Sequence, residues 1–479
     1  MDRRTFLTGG TVGAAAVALA WTSQRAAVAR LTGRTATVTS LSALQQAINS
    51  ATAGSRIVLA NGSYAVPSGS PIRITGRHGS SSAPITIVAE SRGGVTLTGP
   101  HSFVLAGSSD VVISGFVFKQ SSTLEIPADC PRIRLTRNDF ALAPATGHWV
   151  VVRGDDAKVD RNAFHDKSTL GCYLVIDGPS GDAMAQRTHV LRNHFRDHSY
   201  SGSNGGEPLR LGVSSRALSD ADATVEYNLF ERVDGDPEAI SVKASGNTIR
   251  YNTLRSSAGG IVLRHGNDNR VEGNYLLAGG NGIRIYGNDH LIVNNYVGGI
   301  SGAGIVLGSG SVRDHFDGES SDSRRGNDAP DRVTIVLNTL RNNSQALVGE
   351  SQRTLPPLAC RISDNLLVGE SGQLVQMPYT QGLTWSGNIV WGQASTGNIP
   401  SSGFTRADPK LTAGTDGVYR LGSGSAAANA ASLDHSSRVT DDLDGHPRTA
   451  PYDVGADELS TSVPTRRPLT AADVGPSAP

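Results

Sequence analysis

Residues 236–265 hold the groups most able to do chemistry: Asp236, Glu238, Lys243, Arg264 and His265. Two carboxylates two residues apart can turn to one side and hold a hard cation. A lysine acts as a base through its neutral amine, a form that neighbouring cations favour. An arginine keeps its charge and stabilises an anion as it develops. Together these groups suit abstraction of a proton from the carbon beside a carboxylate, a hydrogen far too weakly acidic to leave a free anion. Taken singly, each is more often a solvated turn or a surface charge. The proposal therefore needs a fold that brings them to one face.

The elements that must position them are short and extended. The chain has 479 residues, with 56 glycines and 5% aromatics, and it shows one good helical stretch. That stretch is 42–51, with Leu41, Leu44, Ala47, Ile48 and Ala51 as its apolar stripe and Ser40 or Ser42 as N-cap. Beyond it, short apolar strands alternate with Gly, Ser and Asn turns. An asparagine followed by a large apolar residue recurs at Asn138, Asn162, Asn193, Asn228, Asn252, Asn274, Asn295, Asn338, Asn365 and Asn388, with spacings of 24, 22 and 21 between Asn228 and Asn295. A repeat of this length without helices predicts an all-β solenoid, a parallel β-helix with one coil per repeat. The asparagines are expected to take the left-handed turn conformation and stack as a ladder. The helix is expected to cap the N-terminal end.

Apolar pairs set the register around the site: Leu209/Leu211, Ile240/Val242, Ile261/Leu263, Ile283/Ile285 and Ile305/Leu307. Alternation then places Lys243, Arg264 and Tyr286 in one outward column and Arg210 and Arg284 in the next. With coils about 4.8 Å apart, Lys243 and Arg264 become direct neighbours. Asn204-Gly205-Gly206-Glu207 falls one coil above Asp236-Pro237-Glu238, so Asn204 can add a third oxygen to the two carboxylates. Such a set of hard oxygen donors suits Ca²⁺.

The remaining segments bound the reading. Lys plus Arg equals Asp plus Glu at 43 each, which argues against nucleic acid as a partner. Residues 1–29 combine Arg3-Arg4-Thr5-Phe6-Leu7, a short apolar run and Ala27-Val28-Ala29, the pattern of a twin-arginine signal peptide. The apolar run is too short for a membrane anchor. Export by the twin-arginine route, to the periplasm or the exterior, is the expected localisation. Cys130, Cys172 and Cys360 are read as buried thiols rather than a disulfide framework. Residues 30–457 form the expected solenoid domain, 308–331 a loop inserted into one coil, 441–457 ordered terminal loops, and 458–479 a flexible tail. A monomer is expected.

Asn204-Gly205-Gly206-Glu207, Glu238-Ala239-Ile240-Ser241-Val242-Lys243 and Leu263-Arg264-His265-Gly266 resemble motifs of polysaccharide lyase family 6, the alginate lyases and chondroitinase B. The resemblance runs over most of the chain after residue 29 and is most specific between Asn204 and Asn295. It implies a right-handed parallel β-helix, Ca²⁺ on Asn204, Asp236 and Glu238, Lys243 as Brønsted base and Arg264 as acid. The implied reaction is β-elimination in an acidic polysaccharide, leaving a 4,5-unsaturated uronate. Asp236 departs from the family's usual glutamate and has a shorter reach. Glu207, Arg210, His265, Arg284 and Tyr286 are candidate substrate contacts. Alginate is the first expected substrate and dermatan sulfate the second. A β-helix glycoside hydrolase would leave Lys243 and Arg264 unexplained, and a non-catalytic carbohydrate-binding solenoid would need neither.

Overall fold

The structure is a computed structural model, and it describes residues 35–142, 146–202 and 204–479. The signal-peptide pattern of residues 1–29 lies outside these. The helix is Leu41–Asn49, capped by the Ser40 hydroxyl, which accepts from the Ala43 amide at 3.2 Å. Leu44 and Ile48 are buried from its apolar stripe, and the helix covers the first coil as expected.

Beyond the helix, the described residues are strands, turns and three short 3₁₀ segments. The strands assemble into three long sheets of 14, 14 and 11 members, and each sheet takes its neighbouring strands from successive coils. Neighbouring strands in all three are parallel, so the chain winds as a parallel β-helix. The core is a column of stacked side chains. Phe118, Phe140, Phe164, Phe195 and Phe230 follow one another with ring centroids 4.7–5.0 Å apart. All three cysteines are free and buried.

The asparagine ladder is present, and all ten members are fully buried. Each link uses the side-chain oxygen twice. Asn252 Oδ1 accepts from both the amide and the Nδ2 of Asn228 at 3.0 Å, and Asn274 Oδ1 does the same for Asn252. The left-handed backbone, however, belongs to the preceding residue. Tyr227, Tyr251, Asn294 and Leu337 have φ between 53° and 57°, while the asparagines that follow them do not. The bend comes one residue early because the asparagine side chain must point inward to join its neighbours.

The C-terminal segments depart from expectation. Residues 441–457 are ordered, but they lie along the flank of the coils, with Leu443 and Ala456 packed on Tyr275 and Tyr296. Residues 458–479, expected as a flexible tail, run back along the same flank. The Leu469 amide donates to Thr253 Oγ1, the Gly475 amide to the Arg192 carbonyl, and Arg137 Nη1 to the carbonyls of Pro476 and Ala478. Leu469, Val474 and Ala478 are buried there. Paired backbone groups and covered apolar side chains hold a stretch whose composition alone reads as unstructured. Among the described residues, no helix is long and apolar enough to cross a membrane.

Candidate active site

The strands Leu209–Leu211, Glu238–Lys243 and Gly260–His265 are neighbours in the 11-stranded sheet. Leu209 pairs with Ile240, Ile240 with Ile261, Ile261 with Ile283 and Ile283 with Ile305, which is the register read from the apolar pairs. Those inward residues are fully buried and fix the outward positions between them. One detail differs. A register shift after Val242 pairs Lys243 with His265, so Arg264 is the extra residue of a β-bulge. A bulge turns successive side chains toward the same side. Arg264 and His265 consequently both reach the cleft, where strict alternation would have sent one of them inward.

That cleft has a volume of roughly 300 Å³ and is lined by Asn204, Val213, Ser214, Glu238, Lys243, Arg264, His265 and Arg325. Lys243 Nζ lies 3.2 Å from Glu207 Oε1. Glu207 is 1% exposed, so it holds the lysine from beneath rather than meeting substrate. Burial pushes the Glu207 carboxyl up, but the charges of Lys243 and Arg210 and its hydrogen bonds outweigh this and keep it below its usual value. Glu238 accepts from Ser241 Oγ at 2.5 Å and lies 4.0 Å from Arg264 Nε. The Arg264 guanidinium sits over the Tyr286 ring, 5.5 Å from its centroid. His265 has its pKa lowered to about 3 by burial and then by the charges of Arg264 and Lys243, so it presents a neutral ring to the cleft.

Several expected contacts lie elsewhere. Tyr286 is 1% exposed, and its hydroxyl donates to Glu350 Oε2 at 2.7 Å, so it supports Arg264 and does not line the cleft. Arg284 faces the same carboxylate, with Nε 3.7 Å from Glu350 Oε1. Arg210 turns to His148, Nη2 to Nε2 at 3.2 Å. None of Glu207, Arg210, Arg284 and Tyr286 lines the cleft. The sequence does not single out His148, Glu350 or Arg325, whose positions depend on contacts distant in the chain.

Among the described residues, no group of three or more His, Cys, Asp or Glu is arranged as a metal site. The donor chemistry of the expected set nevertheless fits Ca²⁺. Asn204 and Glu238 line the same cleft, and Asp236 lies behind its lining. Asp236 is 5% exposed, its Oδ2 accepting from the Gly205 amide at 2.9 Å and its Oδ1 from the Glu238 amide at 3.1 Å. Burial, then the nearby Glu207 and Glu238 charges, push its carboxyl above the usual value. Glu207 already has Lys243 as its counter-ion, whereas the neighbouring charges of Asp236 and Glu238 would gain from a cation between them. The turn bearing Asn204 packs closely enough that a Cβ on Gly206 would sit 2.2 Å from the Gly235 carbonyl oxygen. Only glycine lets the two acidic turns approach.

The same fold recurs in solved polysaccharide lyases. The family 6 alginate lyase AlyGC matches with a TM-score of 0.74 at 24% identity, over 92% of this chain and 58% of that one. The chain thus spans 58% of AlyGC's length. A mannuronic acid specific polysaccharide family 6 lyase from human gut microbiota matches with a TM-score of 0.65 at 22% identity, over 75% of this chain and 86% of that one. The family 6 polysaccharide lyase Pedsa3628 from Pseudopedobacter saltans gives a TM-score of 0.62 at 23% identity, covering 92% and 99%. At these identities the likeness speaks for the fold. No curated protein sequence matches the chain. The sequence model of the chondroitinase B family covers residues 38–128 and 135–347, which include every residue of the cleft. The chain therefore belongs to the chondroitinase B family of polysaccharide lyases.

Proposed function

We propose that the protein is an exported polysaccharide lyase that cleaves alginate by β-elimination, with Ca²⁺ held by Asn204, Asp236 and Glu238. The observation that carries this reading is the opening of Lys243 and Arg264, from adjacent coils, onto one cleft with Asn204 and Glu238. A hydrolase has no use for that pair, and a passive binding surface does not need a lysine held by a buried carboxylate.

Bound by these residues, Ca²⁺ would neutralise the uronate carboxylate and lower the cost of forming a carbanion beside it. Lys243 Nζ takes the proton from the carbon α to the carboxylate. The electron pair left behind forms the new double bond as the glycosidic C–O bond breaks. Arg264 gives a proton to the departing oxygen and at once regains one from solvent, as Lys243 releases the proton it took, so both groups are restored and no water enters the products. Glu207 fixes where the amine sits, while Tyr286, itself held by Glu350, fixes where the guanidinium lies. Neutral His265 closes the wall between them without adding a competing charge.

The test is to incubate purified protein with polymannuronate, polyguluronate, native alginate and dermatan sulfate, with and without a chelator. Ultraviolet absorbance of an unsaturated uronate should rise on an alginate polymer, vanish with chelator and return with added Ca²⁺. New reducing ends without that absorbance would show a hydrolase. Dermatan sulfate is the second substrate to weigh, since the matching family is that of chondroitinase B. Export is tested by expressing the full chain with Arg3 and Arg4 both changed to Lys. The substituted chain should stay in the cytoplasm while the original leaves it.

A further inference from the structure

The loop 308–331 was expected to project from one coil, yet it folds back over the cleft. It leaves the sheet after the strand Ala303–Leu307 and carries the 3₁₀ turn Ser323–Arg325. That turn packs against the 3₁₀ turn Ser214–Arg216, which follows the strand Leu209–Leu211. The loop therefore spans the coils that bear Lys243 and Arg264 and forms a wall beside them.

Two adjacent arginines in it have opposite fates. The Arg324 side chain is 5% exposed and serves as the anchor. Its Nη1 donates to the Ser215 carbonyl at 3.1 Å and its Nη2 to the Phe316 carbonyl at 3.3 Å, while Nε lies 3.6 Å from Glu319 Oε1. Glu319 is also held by His315 Nδ1 at 2.6 Å, and His315 Nε2 contacts the Gly326 carbonyl at 3.0 Å, so the loop is braced from within. The next residue, Arg325, is 75% exposed and lines the cleft with Lys243, Arg264, Asn204 and Glu238. Its ion-pair partner among the described residues is Asp322, 3.6 Å away and 86% exposed, a contact too solvated to occupy it.

We infer that Arg325 is a specificity-determining residue, binding the anionic group of a sugar unit next to the one being cleaved. This rests on the reading of the cleft as a polysaccharide site and adds to it a residue from outside the catalytic coils. The proton-abstraction chemistry does not require Arg325. Its cation faces the same small polar space as Lys243 and Arg264, and a polyuronate carries one negative charge on every sugar unit. A guanidinium on a braced loop recognises a carboxylate or a sulfate with paired donors at little cost in ordering. The loop sets how far that charge stands from the reacting pair, and hence which unit it meets.

The test compares Arg325→Gln and Arg325→Lys with the unaltered protein. On the best polymer, Arg325→Gln should raise KM about tenfold and leave kcat within about twofold, the loss of one charge-assisted hydrogen bond outside the reacting groups. Arg325→Lys should recover part of that loss, and KM of the Gln variant should depend less on salt. Calorimetric binding of alginate trisaccharides and of dermatan sulfate oligosaccharides gives a readout that needs no turnover, and the arm weakened more identifies carboxylate or sulfate as the partner. Equal KM and equal binding for Arg325→Gln would overturn the inference even with lyase activity intact. A protein without lyase activity on any polymer would sink the functional proposal, while weaker oligosaccharide binding by the Gln variant would still uphold the role of Arg325. The exposed position of Arg325 leaves folding unaffected, and equal thermal melts of the three proteins check this.

Discussion

Two rows of polar groups run along this β-helix, and they are built on opposite terms. In the asparagine ladder each side chain is buried and each donor has an acceptor, with links repeated at 2.9–3.1 Å from Asn138 to Asn388. On the cleft face the groups are crowded and incompletely matched. Asp236 sits beside two other carboxylates, and among the described residues His265 Nδ1 has no hydrogen-bond partner and Arg264 comes no closer than 4.0 Å to Glu238. A buried polar group without its partner is costly, so a chain keeps such a group only where something else uses it. The ladder spends its polarity on holding coils in register. The cleft keeps its polarity available for a ligand, and the bulge at Arg264 is the local break in regularity that allows it.

The sharpest way to separate the two rows is to remove one member of each and read both activity and stability. Lys243→Ala should lower kcat on the best polymer by about a thousandfold or more, the scale of a lost general base. Its melting temperature should fall less than that of a ladder variant, because Arg210 still faces the buried Glu207 carboxylate that Lys243 leaves behind. Arg264→Ala should cost about a hundredfold or more in kcat. Full activity in either variant would remove the proposed mechanism and leave the cleft a binding surface.

The ladder should respond in reverse. Asn252→Ala strips the acceptor from the Asn228 amide and Nδ2, and leaves the Val225 carbonyl and Asn274 Oδ1 each short of a donor. A loss of about 2–4 kcal/mol in unfolding free energy follows from buried groups left unpaired. Steady-state kinetics well below the melting temperature should not change. A fall in kcat without a fall in stability would mean that the two rows are not separate.

The unequal readability of the two rows in the sequence has the same origin. Regular repetition can be read from spacing, which is why the Ile240, Ile261, Ile283 and Ile305 register and the ten asparagines were recoverable. The features that spacing does not carry depend on single irregular events. No pattern distinguishes a bulge after Val242 from plain alternation, since Arg264 and His265 are both polar. Tyr286 looked outward by parity, but its burial depends on Glu350, 64 residues away. Arg325 lies in a segment recognisable only as an insertion, and its arrival at the cleft depends on Arg324 meeting the Ser215 carbonyl, 109 residues earlier. The last 22 residues read as a tail because backbone hydrogen bonds carry no sequence signature. Spacing locates the asparagines, but the left-handed turn falls on the residue before each of them, which no pattern marks.

The flanking C-terminal loops provide the mildest test, since they hold buried acids that serve neither row. Burial, then the charges of Asp442 and Asp444, push the Asp457 carboxyl up to about 8, against the lowering effects of the Leu421 amide and Arg420. The folded chain therefore keeps a proton there that the unfolded chain releases at its ordinary value of 3.8. Between about pH 4 and pH 8 the unfolded state binds fewer protons than the folded one, so stability must fall as pH rises through that window. Below it both states are protonated, and above it the loss is complete. Asp457→Asn keeps a carbonyl for the Leu421 amide, which Asp457 Oδ2 accepts at 2.6 Å, and carries no charge to desolvate. Its melting temperature should match that of the original near pH 4 and exceed it increasingly toward pH 8. Because Asp457 lies apart from the cleft, kcat should not change at any of these pH values. If the two melting curves stay parallel across the window, the carboxyl is already ionised in the folded chain and Arg420, not a retained proton, offsets its burial.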